Sequence, residues 1–248
     1  MTPDNSQFRT GVIQPVECLK EGWALIKDQY WLFLGIVFVG IFIGSAVPIV
    51  LIGPMMVGIY LCFFRRMRGE QVEFGDLFKG FDFFVQGLIA AVIQMIPMII
   101  VMLPSYLIFV VLMLTSMPRG RTMDPSDGSA FVFRILGFEL VFVVIIMAVS
   151  IVAGIFFMFA FPLIADRKLS GLDAIKTSIR AGMANFGGIL GLMLLTAGLG
   201  IVGVLFCYVG AILVMPISVG SYAVAYRSVF PELPQNLAMP PPPPANWT

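Results

Sequence analysis

Four long apolar runs set the terms for this chain: roughly residues 31–64, 84–115, 135–165 and 186–226. A helix that spans a bilayer needs about 20 consecutive apolar residues. The first and last runs are long enough for two helices each and read as hairpins. In the first, Gly44-Ser45-Ala46-Val47-Pro48 supplies the turn, with Pro48 suited to the first turn of the returning helix. In the last, the turn falls between Gly200 and Cys207. Composition agrees: 59% of residues are hydrophobic, 12% are charged and the mean hydropathy is +0.99. A water-soluble domain carries about 25% charged residues, and no soluble surface could cover this much apolar area.

The middle runs are long enough for one helix or a broken pair, and Pro97 and Pro104 interrupt the first of them. Charge decides the reading. With six spans and both termini inside, Arg9, Lys20, Lys27, Arg65, Arg66, Arg68, Lys79, Arg167, Lys168, Lys176, Arg180 and Arg227 fall on the inner side, against Arg119, Arg121 and Arg134 outside. That asymmetry is the positive-inside pattern. Splitting either middle run would destroy it, so each is expected to be one long helix that uses its surplus length in tilt, kinks or projection. The organisation expected is a polar tail 1–14, one all-α membrane domain 15–230 and a Pro-rich tail 231–248. No apolar leader with a cleavage site opens the chain, so the first span is expected to target it to the inner membrane.

A short phrase occurs twice. Pro54, Val57, Gly58, Tyr60 and Arg65 match Pro216, Val219, Gly220, Tyr222 and Arg227 at one shift, and Lys20, Tyr30 and Gly35 match Lys176, Phe186 and Gly191 at a shift six residues smaller. The difference falls at the hairpin tip, where insertions are tolerated. The unit reads as amphipathic helix, span, turn, Pro-kinked span and inner-side Arg. Both copies begin and end inside, so they are parallel repeats. The tetrads Glu17–Lys20, Asp76–Lys79 and Asp173–Lys176 each precede a hairpin and suggest a third copy, giving units of about 15–68, 69–168 and 169–230.

Helical periodicity places Val16, Leu19, Trp23 and Ile26 near one face of 15–29, Phe74, Leu77, Phe78, Phe81 and Phe84 in 72–84, and Leu172, Ile175, Ile179, Met183 and Phe186 in 170–186. Ser170 with Asp173 forms a capping-box-like start. These three inner-face segments read first as connectors seated at the interface. The sharper reading is a collar that meets a cytoplasmic partner or anionic lipid heads.

Sites for chemistry are scarce. The chain has no histidine, and Cys18, Cys62 and Cys207 lie far apart, so metal, disulfide and general-base patterns are missing. No cofactor is expected, and a net charge of +1 offers nothing to nucleic acid. The intramembrane polar candidates are Gln94, Glu139 and Arg134, with Gln86 nearer a helix end. Gln94 needs a partner inside the bundle; Glu139 and Arg134 either pair or sit in the outer headgroups. Met95, Met98 and Met102 form a stripe read as packing. Gly40-x-x-x-Gly44 and Gly187-x-x-x-Gly191 permit close helix contact. Pro54 and Pro216 are expected to kink their spans, Tyr60 and Tyr222 to orient them at the interface, and Arg65 and Arg227 to snorkel to the inner surface. Pro240–Pro244 should form a polyproline II rod, and the Asn246-Trp247-Thr248 sequon is discounted because it falls on the inner side.

The stretch from Pro54 through Arg65-Arg66-Met67-Arg68-Gly69-Glu70, followed by Phe74-Gly75-Asp76-Leu77-Phe78-Lys79-Gly80-Phe81, with Pro162-Leu163-Ile164-Ala165-Asp166-Arg167 further on, resembles a broad group of bacterial polytopic membrane proteins of unknown function. That group is similar to the membrane domain fused to some glycerophosphodiester phosphodiesterases. The resemblance implies an all-helical bundle in a bacterial inner membrane and no reaction, since that enzyme's catalytic residues belong to a separate domain. The function expected is a non-enzymatic accessory or scaffold that organises a partner protein or lipid at the cytoplasmic face. The alternative is a transporter or channel for a small or lipophilic solute. The partners expected are the bilayer and a cytoplasmic or membrane protein; the oligomeric state is not legible.

Overall fold

The computed structural model describes residues 8–116, 125–205 and 209–232. Its helices are α1 (Pro15–Ile26), α2 (Tyr30–Ala46), α3 (Ile52–Met67), α4 (Phe84–Ser116), α5 (Pro125–Phe157), α6 (Ala160–Arg167), α7 (Gly171–Ala184), α8 (Phe186–Leu205) and α9 (Val209–Val229), with 3-10 segments at Lys27–Gln29 and Phe74–Phe83. No strand occurs among the described residues. Five helical stretches are long and apolar enough to cross a membrane: Pro15–Ala46, Phe74–Thr115, Phe131–Arg167, Phe186–Leu205 and Val209–Val229. This is the architecture of a multi-pass helical membrane protein.

The long helices pair as antiparallel hairpins. A Cβ added to Gly40 would lie 2.8 Å from Ile59 Cδ1, and one on Gly44 2.9 Å from Ile52 Cδ1, so α2 and α3 touch where only hydrogen fits. The α4–α5 pair meets at the Phe109 and Phe138 rings, 6.0 Å apart. In the α8–α9 pair, a Cβ on Gly203 would lie 2.7 Å from the Ala211 nitrogen. Gly187, by contrast, faces open space, and Gly191 meets Pro15 rather than a neighbouring span. The second glycine pair therefore does not bring α8 and α9 together.

Two expectations about proline change. α2 continues through Ala46 and α3 begins at Ile52, so Pro48 lies in the turn, beside Ile49 with φ of 75°. Pro54 is the third residue of α3, where its missing N–H interrupts no intrahelical bond. Of the two repeat-signature prolines, only Pro216 sits in a helix interior, that of α9. Pro97 and Pro104 lie inside α4, which runs unbroken for 33 residues.

The polar segments that precede the hairpins pack in one consistent way. The 74–83 segment lies on α3, α7 lies on α5, α4 and α6, and α1 lies on α9. Each crossing is made by small residues. A Cβ on Gly80 would fall 2.1 Å from the Pro54 carbonyl, one on Gly22 2.6 Å from the Ser221 nitrogen, and one on Gly182 2.5 Å from the Ile155 carbonyl. The buried stripe of α1 is Cys18, Gly22 and Ile26, while Val16 and Trp23 are exposed. Phe74, Phe78 and Phe81 are likewise exposed and Leu77 and Gly80 buried; Leu172, Met183 and Phe186 are exposed and Ala174, Ser178 and Ala181 buried. The large apolar side chains named by periodicity mostly face away from the bundle, because close backbone approach selects the small ones.

Burial is concentrated at one end. Tyr226, Phe64, Phe159 and Phe230 are fully buried and stack together, with centroid distances of 5.1 Å for Phe64–Tyr226, 5.1 Å for Tyr226–Phe230 and 5.7 Å for Phe159–Phe230. They come from the ends of α3 and α9, the residue before α6 and the residue after α9. From residue 92 to 154, no residue whose side chain is described is buried.

Candidate functional site

The aromatic end carries a set of internal ion pairs. Arg227 grips Asp166 at both carboxylate oxygens, Nη2 to Oδ1 at 2.8 Å and Nη1 to Oδ2 at 3.1 Å, and Tyr226 donates its hydroxyl to the same Oδ2 at 2.8 Å. The Arg227 guanidinium lies 4.8 Å from the Phe64 ring centroid. Arg65 reaches Asp76 and donates to Glu70 at 3.0 Å, while Lys79 also reaches Asp76 at 2.8 Å. Arg66 donates to the Leu25 carbonyl at 3.1 Å and meets Asp28 at 3.3 Å. Arg65 and Arg227 therefore turn inward to carboxylates instead of snorkelling outward. The fork of guanidinium suits this: it presents paired donors in a fixed plane.

Glu73 and Asp76 form a reciprocal capping box at the start of the 74–83 segment. The Ser170–Asp173 start of α7 is as expected, with Asp173 N donating to Ser170 Oγ at 3.2 Å. Asn185, at the close of α7, accepts from Gly11 N at 2.8 Å and donates to the Arg9 carbonyl at 3.0 Å, tying the N-terminal segment to this end. Hydropathy does not single out Asp166, Asp76 or Asn185, because each lies outside the apolar runs or at their margin. Gln86 serves the fold as well, since its Oε1 accepts from Gly171 N at 2.8 Å.

The lysines behave differently. Lys20 and Lys79 are exposed and hold only acids on their own segments, Glu17 and Asp76. Lys27, Lys168, Lys176 and Arg180 are exposed, and none has an ion pair among the described residues.

Deeper in the bundle, Tyr60 and Tyr222 line one cavity of about 300 Å³ together with Met56, Gln94, Gly154, Met158 and Met193. The two tyrosines thus sit inside the bundle, and Tyr60 is buried; neither orients its helix at an interface. Tyr222 and Thr196 hydroxyls lie 2.7 Å apart, and Thr196 donates to the Leu192 carbonyl at 2.9 Å. The Gln94 amide nitrogen is sealed and has no hydrogen-bond partner among the described residues. Gly58 and Gly220 do not reach this cavity; they receive Gly80 and Gly22 at the crossings.

Glu139 and Arg134 are both exposed on α5 and form no ion pair with each other. Glu139 edges a groove of about 540 Å³ between α4 and α5, otherwise lined by Ile99, Met102, Leu103, Tyr106 and Phe109 among others. Cys18 and Cys62 are buried and unpaired. No cluster of three metal-ligating His, Cys, Asp or Glu occurs among the described residues. Arg119, Arg121, Cys207 and the Pro240–Pro244 rod lie outside the described residues. Compared with known proteins, the chain matches no protein-family model, no curated protein and no solved structure.

Proposed function

We infer that the chain is a non-enzymatic membrane scaffold that organises anionic lipid at the cytoplasmic face through the polar segments that precede its hairpins, chiefly the first and third. In this reading α2, α3, α4, α5, α8 and α9 are six crossings, with α3 the shortest at 16 residues, about 24 Å. The termini face the cytoplasm, and the three hairpins are parallel copies of one unit. Supporting the repeat, each segment seats on the closing helix of the preceding hairpin, and α1 on α9 completes the circuit. Cys18, Leu77 and Ala174, which follow the acid of each tetrad, are all buried, while Lys20, Lys79 and Lys176 are all exposed.

The observation that carries the function is the division of cations. Arg65, Arg66 and Arg227 are committed to carboxylates of the fold, while Lys27, Lys168, Lys176 and Arg180 stay exposed and without ion pairs among the described residues. Each free cation near an anionic surface contributes about 1 kcal/mol of attraction. Large apolar side chains on the segments that carry them, Trp23 and Met183, would enter the acyl boundary beside them.

The test is native mass spectrometry and thermal unfolding in nanodiscs of phosphatidylcholine with increasing phosphatidylglycerol. Wild type should retain phosphatidylglycerol and melt higher as its fraction rises. The combined K27Q/K168Q/K176Q/R180Q variant should lose both responses. A wild type indifferent to phosphatidylglycerol would refute the reading.

A further inference from the structure

The geometry points to a binding site for one neutral lipid in the cavity between α3, α4, α5, α8 and α9, its carbonyl- or hydroxyl-bearing head held by Gln94 and Tyr60. This site is separate from the exposed lysines and does not depend on them.

Polar inventory comes first. The Gln94 amide nitrogen is buried and unpartnered. Leaving a buried donor unmade is costly in hydrocarbon, which offers no water to satisfy it. Tyr60 lines the same space, and its hydroxyl has no hydrogen-bond partner among the described residues. Across from them, Thr196 spends its proton on the Leu192 carbonyl, so in the 2.7 Å contact Tyr222 donates to Thr196 and keeps its own oxygen free to accept. Around the cavity there are therefore an unsatisfied amide nitrogen at Gln94, an unpaired hydroxyl at Tyr60 and a Tyr222 oxygen free to accept.

The rest of the lining selects the ligand. Met56, Met158, Met193, Ala153, Phe157 and Phe161 are apolar, and no charged residue touches the cavity. A phosphate or ammonium head would lose its hydration with nothing to replace it, a cost of several kcal/mol per ion. A neutral ester or alcohol meets the amide and the hydroxyls without that loss. About 300 Å³ is at the lower end of ligand pockets and suits a head with the first part of its chain. Gly154, Phe157, Met158 and Met193 are only half-buried, so the wall is open there and the remaining chain can leave through it. Methionine fits such a wall because its flexible thioether adapts to a disordered chain.

The experiment uses the full chain in phosphatidylcholine nanodiscs with a diazirine-bearing diacylglycerol, and a phosphatidylglycerol probe with the same acyl chain. Ultraviolet labelling by the diacylglycerol should saturate, be displaced by unlabelled diacylglycerol, and map to peptides holding Met158 or Met193. Q94L should raise the half-saturating concentration about 10-fold and Y60F about 3-fold, the range of one hydrogen bond each. Both variants are near-isosteric in an apolar wall, and unchanged melting confirms that each is folded. Non-saturable labelling, equal labelling by the phosphate-headed probe, or wild-type behaviour of both folded variants would overturn the proposal. Loss of phosphatidylglycerol dependence in the lysine variant leaves this result unmoved, so the two readings fail separately.

Discussion

The two ends of this molecule are built from similar hydrophobic residues under opposite rules. At the C-terminal ends of α3 and α9, Phe64, Phe159, Tyr226 and Phe230 are fully buried beside the Arg227–Asp166 pair. Along α4 and α5, Ile100, Leu103, Leu107, Phe133, Leu140 and Val143 are all exposed, and no residue with a described side chain between 92 and 154 is buried. A phenylalanine inside the first region has protein for a solvent; one in the second needs hydrocarbon. The hydrophobic effect sorts both from water equally, so packing specificity comes only from small-residue contacts, hydrogen bonds and ion pairs. The ion pairs cluster at one end.

The largest expected effect is in the ion-paired end. Asp166→Ala strands Arg227 and the Tyr226 hydroxyl and should cost about 3 kcal/mol, read as a lower midpoint for denaturant unfolding in detergent. Glu139→Ala, in the α4–α5 arm, should leave that midpoint unchanged. Comparable costs for both would break the contrast.

Next in size, Val144→Lys puts a charge on an exposed position of α5. If hydrocarbon surrounds it, membrane insertion should worsen by about 2.5–3.5 kcal/mol, measured by the glycosylated fraction in a translocon assay. An unchanged fraction would place this arm in water.

Glycines sharpen the comparison at about 1–3 kcal/mol. Gly58→Ala drives a methyl onto the Leu77 carbonyl and should lower the unfolding midpoint, whereas Gly137 has open space and its alanine should hold or slightly raise it. Equal effects would mean that the crossing of the 74–83 segment on α3 is looser than described.

The smallest effect concerns Glu70, on the loop after α3. A hydrogen bond from Arg68, with Arg65 adding to it, holds its carboxyl below the ordinary value of 4.5. A depressed carboxylate contributes stability above its unfolded pKa and loses it as pH falls through the folded value. Wild type should therefore melt slightly above Glu70→Gln at neutral pH, and the two should converge below pH 4.5. A difference that persists in acid would assign the stabilisation to packing.

Much of this is legible in particular residues. The apolar runs specify long helices because hydropathy over about 20 residues leaves few alternatives, and Ser170–Asp173 announces the start of α7 by its own local hydrogen bonding. Gln94 stands out in the same way, since an amide inside an apolar run must find a partner or remain orphaned. Tyr60 does not, because periodicity gives a face and no neighbour, and so places at an interface a side chain that lines a cavity. Nor does Arg65, whose partner Asp76 lies across a loop that pattern alone treats as a connection.

By itself, then, the sequence determined that this chain is helical, that its helices are long and apolar enough for a bilayer, and where the cations fall between them. Those properties are sums over local windows, and water or hydrocarbon reads them without reference to the rest of the chain. Only the tertiary structure decided that Gly22, Gly80 and Gly182 are the contact points, that Arg65, Arg66 and Arg227 serve carboxylates while Lys27, Lys168, Lys176 and Arg180 stay exposed, and that Tyr60, Gln94 and Tyr222 share one cavity. Each of these depends on two or more distant segments arriving at the same place, and close packing has no periodicity by which it can be foreseen.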